Sequence, residues 1–151
     1  MSELIAEVME NLQTERVDAP GVSAGEHACF MFADGRHAPG TSTWWPDNFL
    51  QIAVNATTGY GGLIWFVSAE RAEKAGDGIS EYVWVSDNPC PPDFDLRVVS
   101  DPGIPMFHDI RSTLPVSLVR AALEEFCRTG TGDRPKCINW VRGETNGGRV
   151  E

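Results

Sequence analysis

The sequence predicts an α+β fold: an antiparallel β-sheet meander of about five to seven strands, an amphipathic C-terminal helix packed on one face, and an N-terminal helix. Three observations predict it. Apolar residues at the start of the chain recur at helical spacing. From residue 27 the segments become short, aromatic and β-branched, and turn residues separate them. Near residue 117 the helical spacing returns.

In residues 2–12, Leu4, Ile5, Val8, Met9 and Leu12 form one stripe, with Glu3, Glu7 and Glu10 elsewhere and Ser2 placed to cap the start. The polar stretch QTERVDAPGVSAGE then reads as a linker within one domain, 1–151. HACFMFAD, NFLQIAVN, GLIWFVSAE, EYVWVS and DLRVVS come next as strands. In the fourth, Tyr82 and Trp84 point one way, Val83 and Val85 the other. ATTGYGG is a glycine-rich hairpin connection, with Tyr60 in its loop. Consecutive strands with short connections are antiparallel, because a parallel pair needs a crossover of roughly a dozen residues.

The second helix begins around Pro115 to Ser117. Leu118, Val119, Ala122, Leu123, Phe126 and Cys127 give it one broad buried face, with Arg120, Glu124 and Arg128 opposite. Glu124 before Arg128 is the favourable order for an ion pair that contributes ~0.2–0.5 kcal/mol. Gly130 sits where a left-handed residue ends a helix, and CINWV reads as a last strand.

The composition narrows function. With 151 residues, 42% of them apolar and five tryptophans, the chain can fill a core without a staple. Acidic residues outnumber basic ones 22 to 12, for a net charge of −10, which argues against direct nucleic-acid binding. The excess serves either solubility alone or a face complementary to a basic partner. The N-terminus has no signal-peptide pattern. Apolar runs such as Ala28 to Ala33 and Leu63 to Val67 are far short of the ~20 residues that span a bilayer. The expected location is cytoplasmic, away from membranes, with Cys29, Cys90, Cys127 and Cys137 reduced.

Familiar chemistry finds little support. Cys127 and Cys137 are ten apart, Cys29 and Cys90 are isolated from other cysteines, and the one close histidine, His27 beside Cys29, makes no ligand set, so no metal site is expected. TGTGDRP follows a helix C-terminus, where the dipole repels anions, so it is no phosphate loop. A small hydrolase would use Cys90, or His108 with Asp109. Adjacent residues in a strand face opposite ways, however, and no G-x-S-x-G elbow occurs. No cofactor is implied.

What stands out is charge. Asp77, Glu81, Asp87, Asp93, Asp95 and Asp101 fall between residues 77 and 101, with Arg97 the only basic residue there. Within this segment DNPCPPDFD is a proline-stiffened loop that displays acids and Phe94. It is either a preformed recognition loop or a solvated loop guarding a sheet edge. Of the adjacent Trp44 and Trp45, one is expected in the core and the other as an exposed anchor.

The order helix, then TG…RP-x-C-I-x-W, resembles the C-terminal signature of a bacterial immunity-protein family, numbered one among those of polymorphic-toxin systems. The resemblance rests on Pro115, Ala122, Phe126, Thr129, Gly130, Arg134, Pro135, Cys137 and Trp140. Upstream, FLQIAVNATTGYGGLIWF resembles that family's hairpin through Gly62, Leu63 and Trp65, so the likeness runs from about residue 44 to 141. It implies a non-enzymatic antitoxin that binds and neutralises a cognate toxin. The toxins paired with that family include nucleic-acid deaminases, among them cytosine deaminases acting on DNA. A basic substrate groove in such a toxin would be blocked by an acidic inhibitor, in a 1:1 complex. A nuclease or another toxin class is the alternative partner. On this reading Gly130 stops the helix, Pro135 stiffens the turn, and Cys137 and Trp140 pack. The expected interface is Asp87, Asp93, Phe94 and Asp95, then Tyr60 and one of Trp44 or Trp45.

Overall fold

The computed structural model describes residues 1–13, 27–33, 46–75, 83–101 and 106–150. Its elements run α1 (Ser2–Gln13), β1 (His27–Phe30), β2 (Asn48–Asn55), β3 (Tyr60–Val67), α2 (Ala69–Ala75), β4 (Val83–Asp87), β5 (Val99–Asp101), β6 (Met106–Phe107), β7 (Thr113–Pro115), α3 (Val116–Thr129) and β8 (Asn139–Gly143). The fold is α+β, with a six-stranded antiparallel sheet in the order β1-β2-β3-β4-β8 and β7 attached to β3. The first four strands form the expected meander. DLRVVS departs from it, since only Val99–Asp101 is a strand, and it pairs with β6 outside the main sheet.

The central strand is β3. One of its edges pairs with β2 along its full length. The other is shared, β7 taking Tyr60 to Gly62 and β4 taking Ile64 to Phe66. Each face of β3 carries a core. On one, Leu50, Ile52, Leu63 and Trp65 pack with Ile5, Met9 and Leu12 of α1 and with Val119, Leu123 and Phe126 of α3. On the other, Ala53 packs with Leu96 and Val98, which precede β5.

Both helices bury narrower stripes than the sequence suggests. Leu4 is 53% exposed and Leu118 is 41% exposed, because each sits one residue, about 100° of turn, off the row that meets the sheet. Arg120 pairs with Glu124 at 2.9 Å, in place of the expected Glu124–Arg128 pair. Gly130 closes α3 in the left-handed region at φ 63°, donating its N–H to the Phe126 carbonyl.

The end of GLIWFVSAE, expected to continue a strand, begins α2 instead. The Ser68 hydroxyl accepts from the Arg71 N–H and its carbonyl from the Ala72 N–H, so a serine N-cap stops the strand and starts a helix. The hairpin between β2 and β3 is also tighter than expected. Tyr60 is the first residue of β3, paired with Asn55 and Pro115, rather than part of the loop.

Gly61 shows how closely the elements approach β3. A side chain there would meet the Ala53 carbonyl oxygen at 2.4 Å and Val119 of α3 at 3.0 Å. Gly61→Ala is therefore expected to destabilise the protein by about 1–3 kcal/mol, because backbone and helix must both shift. An unchanged urea midpoint for this variant would contradict that packing.

Candidate functional site

The structure gives DNPCPPDFDLR a fixed shape. At its start the Asn88 side chain accepts from the Cys90 N–H at 3.0 Å, a local turn that asparagine favours, and donates to the Thr113 carbonyl at 2.8 Å. The Asn88 N–H donates to the Arg111 carbonyl at 2.7 Å. At its end the Asn55 side chain donates to the Leu96 and Arg97 carbonyls. Arg97 adopts a left-handed φ of 44°, with its N–H on the Asp95 carboxylate and its guanidinium 5.4 Å from the Phe107 ring centre. A non-glycine residue held there marks a loop whose surroundings dictate its shape.

Three of the expected interface residues stand out from this loop. Asp93, Phe94 and Asp95 are exposed, and Phe94, at 49% exposure, is among the few large apolar side chains of the described residues that are open to solvent. Tyr60 joins them, its ring meeting Phe94 edge-to-face at 6.2 Å between centres. The site is thus an aromatic pair rimmed by two carboxylates on a braced loop.

Asp87 does not belong to that rim. It is half-buried, and its carboxylate accepts from Arg149 at 2.9 Å. The same guanidinium nitrogen donates to the Arg111 carbonyl at 2.9 Å. Residues 144–150 return along β8, with Gly143 bridging Arg149 and the Val150 N–H on the Arg142 carbonyl. Asp87, also expected at the interface, ties this return to the root of the loop. Trp44 and Trp45 lie outside the described residues.

The residues named for hydrolysis sit in separate local settings. Cys90 is exposed in the Asn88 turn, and no hydrogen bond joins any two of Cys90, His108 and Asp109 among the described residues. The Asp109 carboxylate is engaged by Arg111, whose hydrogen bonds hold its pKa below the usual carboxylate range. His108 lies buried beneath Gly62 and Gly147. A side chain at Gly62 would meet the ring at 2.6 Å, and one at Gly147 would meet it at 3.0 Å. Neither ring nitrogen has a hydrogen-bond partner among the described residues. Among those residues no three His, Cys, Asp or Glu side chains converge as metal ligands would.

The corner at 127–141 is built by indoles. Trp65 and Trp84 are directly opposed across β3 and β4, and Trp140 pairs with Ser86, two residues on, so the three share one face of the sheet. The Trp65 Nε1–H donates to the Gly132 carbonyl at 3.0 Å and the Trp140 Nε1–H to the Pro135 carbonyl at 2.7 Å. Arg134 lays its guanidinium 4.0 Å from the Trp84 ring centre and 5.7 Å from that of Trp65. Cys137, expected to pack, is exposed, and Ile138 is buried in its place. The cause is Glu125, which accepts from the Lys136 and Cys137 amides at 2.8 and 2.9 Å and holds that turn against the flank of α3. Partial desolvation of the sulfur and the Glu125 carboxylate together push the Cys137 thiol up to about 11, which favours the protonated form. Nothing in the spacing of the sequence marks these indole–carbonyl contacts.

The Asp87 clamp and the His108 ring can each be tested. Arg149→Met leaves Asp87 half-buried without its partner and should cost about 1–3 kcal/mol. Amide exchange should then speed up at Asn88 and across 144–150, while an unchanged exchange pattern would show that the clamp is idle. Burial lowers the His108 pKa from its ordinary 6.5 to about 4. The unfolded chain therefore takes up a proton on this ring, between those values, that the folded protein refuses. The stability tied to His108 is complete above pH 6.5, drains away as pH falls toward 4, and amounts to about 3 kcal/mol. Urea titrations at pH 7 and pH 5 should show part of that loss in the wild type and a smaller one in His108→Leu; parallel losses would exclude His108 as its source.

No helix among the described residues is long and apolar enough to cross a membrane. No curated protein and no solved structure matches the chain. One family model does, that of Immunity protein Imm1, over residues 5–142, spanning the sheet, both flanking helices and the tryptophan corner. On that match the chain belongs to the Imm1 family of immunity proteins, whose role is to bind a cognate toxin.

Proposed function

We propose that this immunity protein neutralises a nucleic-acid deaminase toxin in the cytoplasm, forming a 1:1 complex in which the 88–97 loop blocks the active site or substrate groove. The observation that carries this reading is the exposed Phe94, braced by Tyr60 and flanked by Asp93 and Asp95 on a loop pinned at both ends. A toxin that grips a polyanion needs a basic groove, and a chain of net charge −10 is drawn to it. Loop rigidity lowers the ordering cost of docking, so more of the contact energy appears as affinity. The role requires no turnover, and Cys90, His108 and Asp109 share no hydrogen bond among the described residues.

The two kinds of side chain divide the work. Phe94 is the anchor, and its truncation should weaken binding by about 30-fold or more, chiefly through faster dissociation. Asp93→Asn with Asp95→Asn should mainly slow association and flatten its dependence on salt. The test is co-expression with the toxin domain encoded beside this chain, scoring survival and co-purification, then deamination assays with added wild-type or variant protein. Rescue and loss of deamination with the wild type, weakened in Phe94→Ala, is the expected result. Rescue from a toxin that cleaves nucleic acid without deaminating it would replace the deaminase with a nuclease. Full potency of Phe94→Ala would move the interface elsewhere.

A further inference from the structure

A second surface differs from the loop in sign. Between α2, the end of β3 and the 133–140 turn lies an open cleft of about 460 Å³. Its walls are apolar, formed by Trp65, Val67 and Trp140, and its lining includes Arg71, Arg134 and Lys136 with Asp133 as the sole acid. Three of the chain's 12 basic residues therefore meet in one depression of a strongly acidic protein.

These cations are differently placed. Arg71 is held by Asp47 at 2.9 Å, by Asp133 at 2.8 Å and by the Thr131 carbonyl at 2.7 Å, so it belongs to the frame. Arg134 is stacked on Trp84 and ordered by it. Lys136 is exposed, and among the described residues no carboxylate lies within ion-pairing distance of its ammonium. Glu125 reaches this turn but accepts from its backbone amides, not from the Lys136 side chain. Both neighbouring indole N–H groups donate to backbone carbonyls, so the partly exposed Trp140 offers ring surface rather than a donor, with Trp65 buried behind it.

We infer that this cleft receives an acidic side chain, glutamate or aspartate, presented by the cognate toxin outside its basic groove. The inference rests on the reading that the chain binds a toxin. An aliphatic stem fits along Val67 and Trp140 while its carboxylate meets the Lys136 ammonium, and a basic side chain is turned away by that ammonium, Arg71 being already balanced by Asp47 and Asp133. A partner that must satisfy an acidic loop and a cationic cleft at once can sit in one orientation only, which is how like-charge repulsion selects among partners.

Lys136 makes the test clean, since among the described residues its ammonium pairs with no carboxylate. Lys136→Glu should melt at the wild-type temperature yet dissociate from the toxin at least tenfold faster, with Lys136→Ala between the two. Changing the matching toxin acid to lysine should restore binding to Lys136→Glu and weaken it to the wild type. Equal dissociation of Lys136→Glu and wild type, while Phe94→Ala is impaired, would overturn the cleft and leave the loop interface standing. Weakening that no acid-to-lysine change in the toxin restores would overturn the acidic occupant. If the wild-type protein itself fails to bind the toxin, the toxin reading falls and the cleft falls with it.

Discussion

The fold depends on β3 being enclosed on both edges and both faces at once. Its edges are taken by β2 on one side and by β7 and β4 in succession on the other. Its faces are approached so closely that two adjacent positions lack side chains. Gly61 admits Val119 of α3, and Gly62 admits the His108 ring. Because neighbours in a strand face opposite ways, the Gly-Gly pair opens one site on each side of the sheet. The cost falls on His108, which is buried with both nitrogens unpartnered among the described residues, at roughly 1–3 kcal/mol for such a group. The ring is retained there by shape, filling the space that Gly62 and Gly147 leave.

That enclosure sets the loop in place. The segment bearing Leu96 and Val98 must lie over the second face, and the Asn55 side chain at the hairpin end receives it through two carbonyls. The chain enters from β4, which Asp87 and Arg149 fasten to the returning C-terminal residues. The span between these two anchors is short and rich in proline, and Phe94 is held out where water reaches it. The acids sort themselves by the same geometry: Asp87 turns in to satisfy an arginine, while Asp93 and Asp95 face solvent.

Much of this is legible in the residues. Helical and strand periods locate α1, α3 and the first four strands, because those elements each meet a core along a regular row. Gly130 announces the end of α3 because few other residues take a left-handed cap. The misses have particular causes. α2 is hidden because SAERAEKA offers a cap and a charged turn but no apolar stripe to set its period. Asp87 reads as a surface acid because its partner, Arg149, lies 62 residues away. Cys137 and Ile138 exchange places because a glutamate on α3 takes both amides of that turn, a contact that spacing does not encode. Tyr60 and Phe94 emerge from the sequence as two separate candidates, and only the fold brings their rings together.

The residues that carry the family likeness and those that carry the proposed recognition overlap only in the cleft, whose lining includes Trp65, Arg134, Pro135 and Trp140. Trp65, Arg134, Pro135 and Trp140 lock the crossing from α3 to β8 by indole donors, ring stacking and a buried proline. Gly62 makes room for His108, and Gly130 ends a helix. Each acts on the chain's own backbone or core, where substitution is punished through stability. Asp93, Phe94, Asp95 and Lys136 have exposed side chains, and of these Asp95 also accepts from the Arg97 N–H and Phe94 meets Tyr60. On the proposed reading, a change of partner would fall on those four solvent-facing positions while most of the framework that presents them stays the same.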